Sequence, residues 1–115
     1  MTIQTLIVED NYGDIELLRI LLEEIEQPQY HLKEATSLQA ALQHLVQENV
    51  DLVLLDLGLP DSHGLDTLKS IVKHHPELPI VVLTGNHDER LGIAAVKAGA
   101  QDYLIKGQLT SHVLT

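Results

Sequence analysis

Five polar side chains stand where the apolar runs of this 115-residue chain end. Leu6-Ile-Val8 runs into Glu9-Asp10, Leu52-Val-Leu-Leu55 into Asp56, Ile80-Val-Val-Leu83 into Thr84, and Tyr103-Leu-Ile105 into Lys106. If these runs are parallel strands, their ends share one edge of a sheet, and three carboxylates, a hydroxyl and an ammonium converge there. Carboxylates held that closely repel and raise each other's pKa unless a cation sits among them. Lys106 brings one positive charge, too little for three acids. A divalent, oxygen-seeking ion completes the set. Mg²⁺ fits best, because it takes one or two carboxylates, keeps several waters and leaves room for a phosphoryl oxygen. Beside it, a hydroxyl and an ammonium form a cradle for a phosphoryl group. A free carboxylate there is a nucleophile whose product is an acyl phosphate. Asp56 is the best candidate: it closes the most apolar strand, and Gly58, Pro60, Asp61 and Gly64 then break the chain into an open loop. The C-terminal end of a central strand is where open α/β sheets place their ligands.

The elements that must carry these residues are legible from periodicity. Gln4 to Glu9 is a strand with Leu6, Ile7 and Val8 buried, and Asn11 is the N-cap of the next element. Ile15, Leu18, Leu22 and Ile25, widened by Leu17 and Leu21, predict a helix that stops near Pro28. Tyr30 to Ala35 alternates apolar and polar residues, which suits a less buried or edge strand. Ser37 caps a second helix with the stripe Leu38, Ala41, Leu42 and Leu45, ended by Asn49. Asp51 to Asp56 is the central strand. The loop through Gly64 leads to a helix with Leu65, Leu68, Ile71 and Val72, closing at His74-His75-Pro76. Pro79 to Thr84 is a strand ended by Gly85-Asn86, and Leu91, Ala94, Ala95 and Ala98 line a short helix closed by Gly99. Ile93 and Val96 fall off that stripe. Ala100 to Ile105 contains the last strand, and Thr110 or Ser111 starts a final helix, with Leu109, Val113 and Leu114 on its apolar face. Five alternations of strand and helix with short connections predict a doubly wound α/β fold with a five-stranded parallel sheet.

Composition bounds the rest. One domain of this length buries roughly two thirds of its unfolded surface without staples. There is no cysteine, so no disulfide, thiolate or zinc–sulfur chemistry is available, which suits a cytoplasmic location. The N-terminus lacks the basic and apolar regions of a signal peptide, and no apolar run approaches the length of a membrane span. Seventeen acidic against seven basic side chains give a net charge of −10, which repels phosphate backbones, so no direct contact with nucleic acid is expected. Three tyrosines, with no Phe or Trp, offer no base-stacking platform.

Taken together, Glu9-Asp10, Asp56-Leu-Gly-Leu-Pro-Asp-Ser-His-Gly64, Leu83-Thr84-Gly85 and Ala98-Gly-Ala-Gln-Asp-Tyr-Leu-Ile-Lys106 resemble the receiver domains of two-component response regulators, over essentially the whole chain. The resemblance implies a flavodoxin-like strand order, 2-1-3-4-5, for a single receiver domain over residues 1–115. It implies that Asp56 accepts a phosphoryl group from a histidine kinase or phosphotransfer protein. Asp10 then binds Mg²⁺ directly and Glu9 mostly through water, with Asp56 and the Gly58 backbone carbonyl as further ligands. Thr84 bonds the phosphoryl group, Lys106 pairs with it, and Tyr103 is the switch aromatic that turns inward as Thr84 moves. Output passes through the fourth helix, fifth strand and fifth helix to an output domain or protein partner, with homodimers a recurrent form. Such a module is a phosphorylation-switched signalling element in a phosphorelay, not an enzyme acting on a separate substrate. The alternative is a pseudo-receiver that serves only as a protein-interaction platform.

Each residue alone has a blander explanation. Glu9-Asp10 favours the positive end of a helix dipole, Thr84 is a β-former, Tyr103 a core-edge aromatic and Lys106 a surface charge. The joint pattern overturns these explanations most strongly for the acids, Thr84 and Lys106. His74-His75 are adjacent, which is not a ligand spacing, and sit where a helix dipole favours cations. His63, in the loop after Asp56, is placed to influence access to a phosphoryl group. Neither an aspartate-nucleophile phosphatase nor a nucleotide-binding module fits as well. The first wants a second Asp at position 58, which is Gly, and the second wants a Gly-rich loop where Glu9-Asp10-Asn11 stand. Three departures from the family pattern stand out. Gly107 replaces the proline commonly found after the site lysine, and Gly58 offers less shielding than the larger residues common there. Nine residues follow Lys106, too few for a full fifth helix. The expectation is that the fifth helix is short or truncated, and that the chain is the N-terminal part of a longer protein or takes its missing cover from a partner.

Overall fold

The computed structural model of the chain describes residues 2–85 and 88–108. Its main sheet contains β1 (Thr2–Val8), β2 (Gln29–Ala35), β3 (Leu52–Asp56), β4 (Ile80–Thr84) and β5 (Asp102–Ile105). All pairings are parallel, in the order β2-β1-β3-β4-β5. Helices α1 (Tyr12–Glu23), α2 (Leu38–Gln47), α3 (Leu65–His74) and α4 (Glu89–Lys97) make the crossovers. This is the doubly wound, flavodoxin-like arrangement expected from the alternation and the resemblance. The expected final helix from Thr110 or Ser111, with Leu109, Val113 and Leu114, lies outside the described residues.

The pleat sorts the sheet's side chains into two layers. Leu6, Val8, Val53, Leu55, Ile80 and Val82 pack with Ala41 and Leu45 of α2, Leu68 and Ile71 of α3, and Ala95 of α4. Ile7, Leu54 and Leu83 point the other way, onto Ile15, Leu18, Leu22 and Ile25. Among the described residues, α1 is the helix that covers this second face. Strand β3, with Val53, Leu54 and Leu55 all buried, is the central strand its unbroken apolar run predicts. β2 alternates as an edge strand should, with Tyr30 and Leu32 half-buried and Gln29, His31 and Lys33 exposed.

Local chemistry sets the element boundaries. Asn11 caps α1 by accepting from the Asp14 N–H at 3.1 Å, and Ser37 caps α2 by accepting from the Ala40 N–H at 3.1 Å, as the sequence predicts. Asp61 supplies a further cap that the sequence pattern does not announce. Its two carboxylate oxygens accept from the N–H groups of Leu38 at 2.8 Å and Gln39 at 3.0 Å, tying the loop after β3 to the start of α2. The same loop holds a two-residue antiparallel hairpin, Gly58–Leu59 against Ser62–His63. Gly64, at φ 63, turns the chain into α3.

One packing expectation is corrected. Leu17, expected on α1's apolar face, is 40 % exposed. Ile15, Leu18 and Leu22 define the buried stripe, and Leu17 lies about 100° around the helix from Leu18. Among the described residues, no helix is long and apolar enough to cross a membrane.

Candidate functional site

Sheet register brings the site together. Val8 pairs with Leu55, so Glu9, the next residue, is level with Asp56. Asp56 pairs with Leu83 and Thr84 with Ile105, so Thr84 and Lys106 close the neighbouring strands at the same edge. The pleat then decides direction. Glu9 and Asp56 follow Val8 and Leu55 of the first layer, so their side chains fall on the face covered by α1, where the Lys106 ammonium meets them and Asp14 of α1. Thr84 follows Leu83 of the second layer and falls on the opposite face.

Glu9 is fully buried. Its Oε1 accepts from the Asn11 N–H at 3.1 Å. Its Oε2 lies 2.6 Å from Lys106 Nζ as an ion pair, yet no donor is aligned with that oxygen as a hydrogen bond. Burial pushes the Glu9 carboxyl up to about 7, with the neighbouring Asp56 adding to the rise and Lys106 and the Asn11 N–H opposing it. Asp56 accepts from the Gly58 N–H through Oδ1 at 3.2 Å and faces Lys106 Nζ through Oδ2 at 3.4 Å. Ligand atoms of Glu9, Asp10 and Asp56 all lie within 4.8 Å of one another. Asp10 is exposed at the mouth of the cluster.

Lys106 is the hub, since its ammonium also donates to Asp14 Oδ2 at 3.0 Å. Burial works against its charge, but ion pairs with Glu9 and Asp14 and the charge of Asp56 outweigh this and raise its pKa. Asp14 is the site residue that sequence reasoning missed. Its signal was available: Asp14 precedes Leu18 by four residues and Leu22 by eight, so it stands on α1's buried stripe, where an acid needs a partner.

Thr84 is buried, and its hydroxyl donates to the Leu104 carbonyl over a long 3.4 Å. With Asp56, Gly58, His63, Gly85 and Asp88 it lines a cavity of about 200 Å³ beside the acid cluster. No atom lies within 4 Å of where a Cβ on Gly58 would be, so this wall of the site is open. A larger, open groove at the opposite edge of the sheet, lined by Leu45, Asp51, His75 and Pro79 among others, gathers no comparable set of groups.

Tyr103 stands away from the acids. Its hydroxyl donates to Glu89 Oε1 at 3.1 Å, which raises its pKa, and its ring packs closely against Gly92. A Cβ at Gly92 would come within 2.5 Å of Tyr103 Cδ2, so only glycine admits the ring there. Lys106 to Gln108 form a short 3₁₀ turn, and the Lys106–Gly107 bond is trans. Among the described residues the cis bond is Gln27–Pro28. Ile93 and Val96 are exposed on α4, as their off-stripe positions predict.

A five-stranded parallel sheet with acids at the ends of its first and third strands, and a lysine at the end of the fifth, defines a receiver architecture. The family description "response regulator receiver domain" matches residues 5–114, and the chain belongs to that family. It is 36 % identical to the response regulator protein PilR of Pseudomonas aeruginosa, over 97 % of this chain and 25 % of PilR. It is 37 % identical to the KDP operon transcriptional regulatory protein KdpE of Escherichia coli, over 88 % of this chain and 43 % of KdpE. The chain thus spans less than half the length of either relative. The crystal structure of the receiver domain of NtrX from Brucella abortus superposes with a TM-score of 0.84 at 28 % identity, covering 96 % of this chain and 90 % of that one. The chain is therefore a receiver module of the two-component response-regulator class, a signalling unit.

Proposed function

We propose that this chain is switched by phosphorylation of Asp56, with the phosphoryl group supplied by a histidine kinase or phosphotransfer protein. The observation that carries this is the Lys106 ammonium set between the buried Glu9 and Asp56, at 2.6 and 3.4 Å. A buried Glu9 oxygen without an aligned donor, beside two further carboxylates, suits a cation better than it suits a proton or a solvated acid. The donor set is all oxygen, which favours Mg²⁺ over softer metals. Glu9, Asp10, Asp56 and the Gly58 carbonyl would hold it, and when bound it supplies charge neutralisation for the transferring phosphoryl group.

The chain's own residues do the rest. An Asp56 carboxylate oxygen attacks the phosphorus of a phospho-imidazole donor. The P–O bond forms, the P–N bond breaks, and the imidazole leaves with its electron pair and takes up a proton. The Gly58 N–H fixes the Asp56 carboxylate for in-line attack. Lys106 neutralises the incoming oxygens, and the Thr84 hydroxyl exchanges its long bond to Leu104 for a phosphoryl oxygen. As Thr84 turns toward the phosphate, Tyr103 leaves Glu89 and moves inward, altering the surface of α4 and β5. Output to a further domain, a protein partner or a second copy runs through that surface. Relatives much longer than this chain support a receiver unit within a longer regulator, and a cytoplasmic location belongs to the same proposal.

Mass spectrometry after incubation with acetyl phosphate or phosphoramidate and Mg²⁺ tests this. The expected result is the gain of one phosphoryl group, lost in Asp56→Asn. No gain with Mg²⁺ bound would refute the switch and leave a pseudo-receiver that acts only as an interaction platform.

A further inference from the structure

Three acids surround Lys106, but they are not equivalent. Glu9 and Asp56 belong to the set whose oxygens lie within 4.8 Å of one another, together with Asp10. Asp14 stands outside that set, on the first turn of α1. Among the described residues its side-chain partner is the Lys106 ammonium, 3.0 Å from Oδ2, across 92 residues of sequence. An acid on a helix's buried stripe is costly unless a cation answers it. Asp14 is one-third exposed and Lys106 about one-fifth, so this pair is partly shielded from solvent.

The geometry sets up a competition. The ammonium at 2.6 Å from Glu9 and 3.4 Å from Asp56 occupies the space and the charge that a divalent cation would claim. For the cation to enter, Lys106 must yield those two oxygens, and a partly buried ammonium cannot be left without a counter-charge. Resting on the proposed metal role of Glu9, Asp10 and Asp56, we propose that Asp14 is the parking site for Lys106. It is a positioning residue that takes the ammonium when the cation takes Glu9 and Asp56, and it holds the lysine charged beside Asp56, ready for a phosphoryl oxygen. Asp14 therefore favours cation binding through Lys106, without being a ligand.

The test is Mg²⁺ titration by calorimetry on four chains: the wild type, Asp14→Asn, Lys106→Met and the double variant, each confirmed folded by circular dichroism. Lys106→Met removes the competitor and should tighten Mg²⁺ binding. Asp14→Asn should weaken it roughly fivefold, the upper range for a partly exposed ion pair, because the ammonium falls back onto Glu9 and Asp56. In the Lys106→Met background the same Asp14→Asn change should shift affinity by less than about twofold, the residue of a screened charge. Equal weakening in both backgrounds would overturn the proposal, since Asp14 would then act only through its field. No weakening in the single variant would overturn it as well. If the wild type binds no Mg²⁺, the metal reading itself falls, and the parking role with it. Should Lys106→Met fail to fold, carbon-13 NMR of the wild-type carboxylates decides: a Mg²⁺-induced shift at Asp14 supports the transfer of the ammonium, and an unmoved Asp14 signal refutes it.

Discussion

Stripping divalent cations from the chain and raising the pH from about 5 to about 8 is expected to destabilise it, through Glu9. The carboxyl's ordinary value is 4.5, and burial pushes it up to about 7 in the folded chain. Between those values the folded chain holds a proton that the unfolded chain has released. Stability falls with pH wherever the folded state binds more protons. The Glu9 contribution is therefore greatest below its ordinary value of 4.5, is lost as the pH rises toward about 7, and is flat above. At about 1.4 kcal/mol for each tenfold difference in proton affinity, the loss is at most about 3–4 kcal/mol. Lys106 does not enter this window, because its pKa is raised from 10.5 and its stabilising contribution disappears only in strong alkali. Urea denaturation at a series of pH values, in chelator and in Mg²⁺, measures the effect. The quantity to compare is the difference between the wild type and Glu9→Gln, in which the contributions of all other groups cancel. In chelator the wild type's stability relative to Glu9→Gln should fall as the pH rises, and saturating Mg²⁺ should flatten that dependence by replacing the proton. A pH-independent difference in chelator would refute the assignment of a buried acid with a raised pKa at position 9.

Three further outcomes rest on particular contacts. Gly92→Ala forces the Tyr103 ring off α4, so it should cost about 1–3 kcal/mol in urea denaturation and move the Tyr103 ring resonances by NMR; an unchanged Tyr103 environment would contradict the packing described. Asp61→Ala removes both acceptors from the start of α2 and should lower the melting temperature and speed hydrogen exchange at the Leu38 and Gln39 amides, whereas unchanged exchange would show that the loop does not cap the helix. His63→Ala takes away a wall of the cavity beside Asp56 where Gly58 supplies no side chain, so the phosphorylated chain should lose its phosphoryl group roughly severalfold faster. An unchanged lifetime, followed by mass spectrometry, would dismiss any role for His63.

How much of the site is legible in the sequence differs from residue to residue. Glu9, Asp10, Asp56, Thr84 and Lys106 are visible because each stands at the end of an apolar run, and parallel strands bring such ends to one edge. Asp14 is hidden because it lies within a helix, where an acid in the first turn already has an explanation as a partner for the dipole. Asp61 is hidden as a cap because it acts across 22 and 23 residues, on a helix that already has Ser37. Leu17 misleads because a broad apolar face in sequence says nothing of what covers each part of it.

Local sequence was enough for the alternation of strands and helices, the central place of β3, the caps at Asn11 and Ser37, and the five polar residues at the sheet edge. These arise from short-range periodicity and from the side chains' own hydrogen-bonding capacity, which need no partner elsewhere in the chain. How the charges are shared is a property of the tertiary fold. Pleat and register put Glu9 and Asp56 on the α1 face, where Lys106 reaches them, and Thr84 on the other, so the ammonium meets Asp14 and the hydroxyl turns to Leu104. Burial of Glu9 and the strength of the Lys106 ion pairs depend on distances between residues near opposite ends of the chain, and only folding sets those distances.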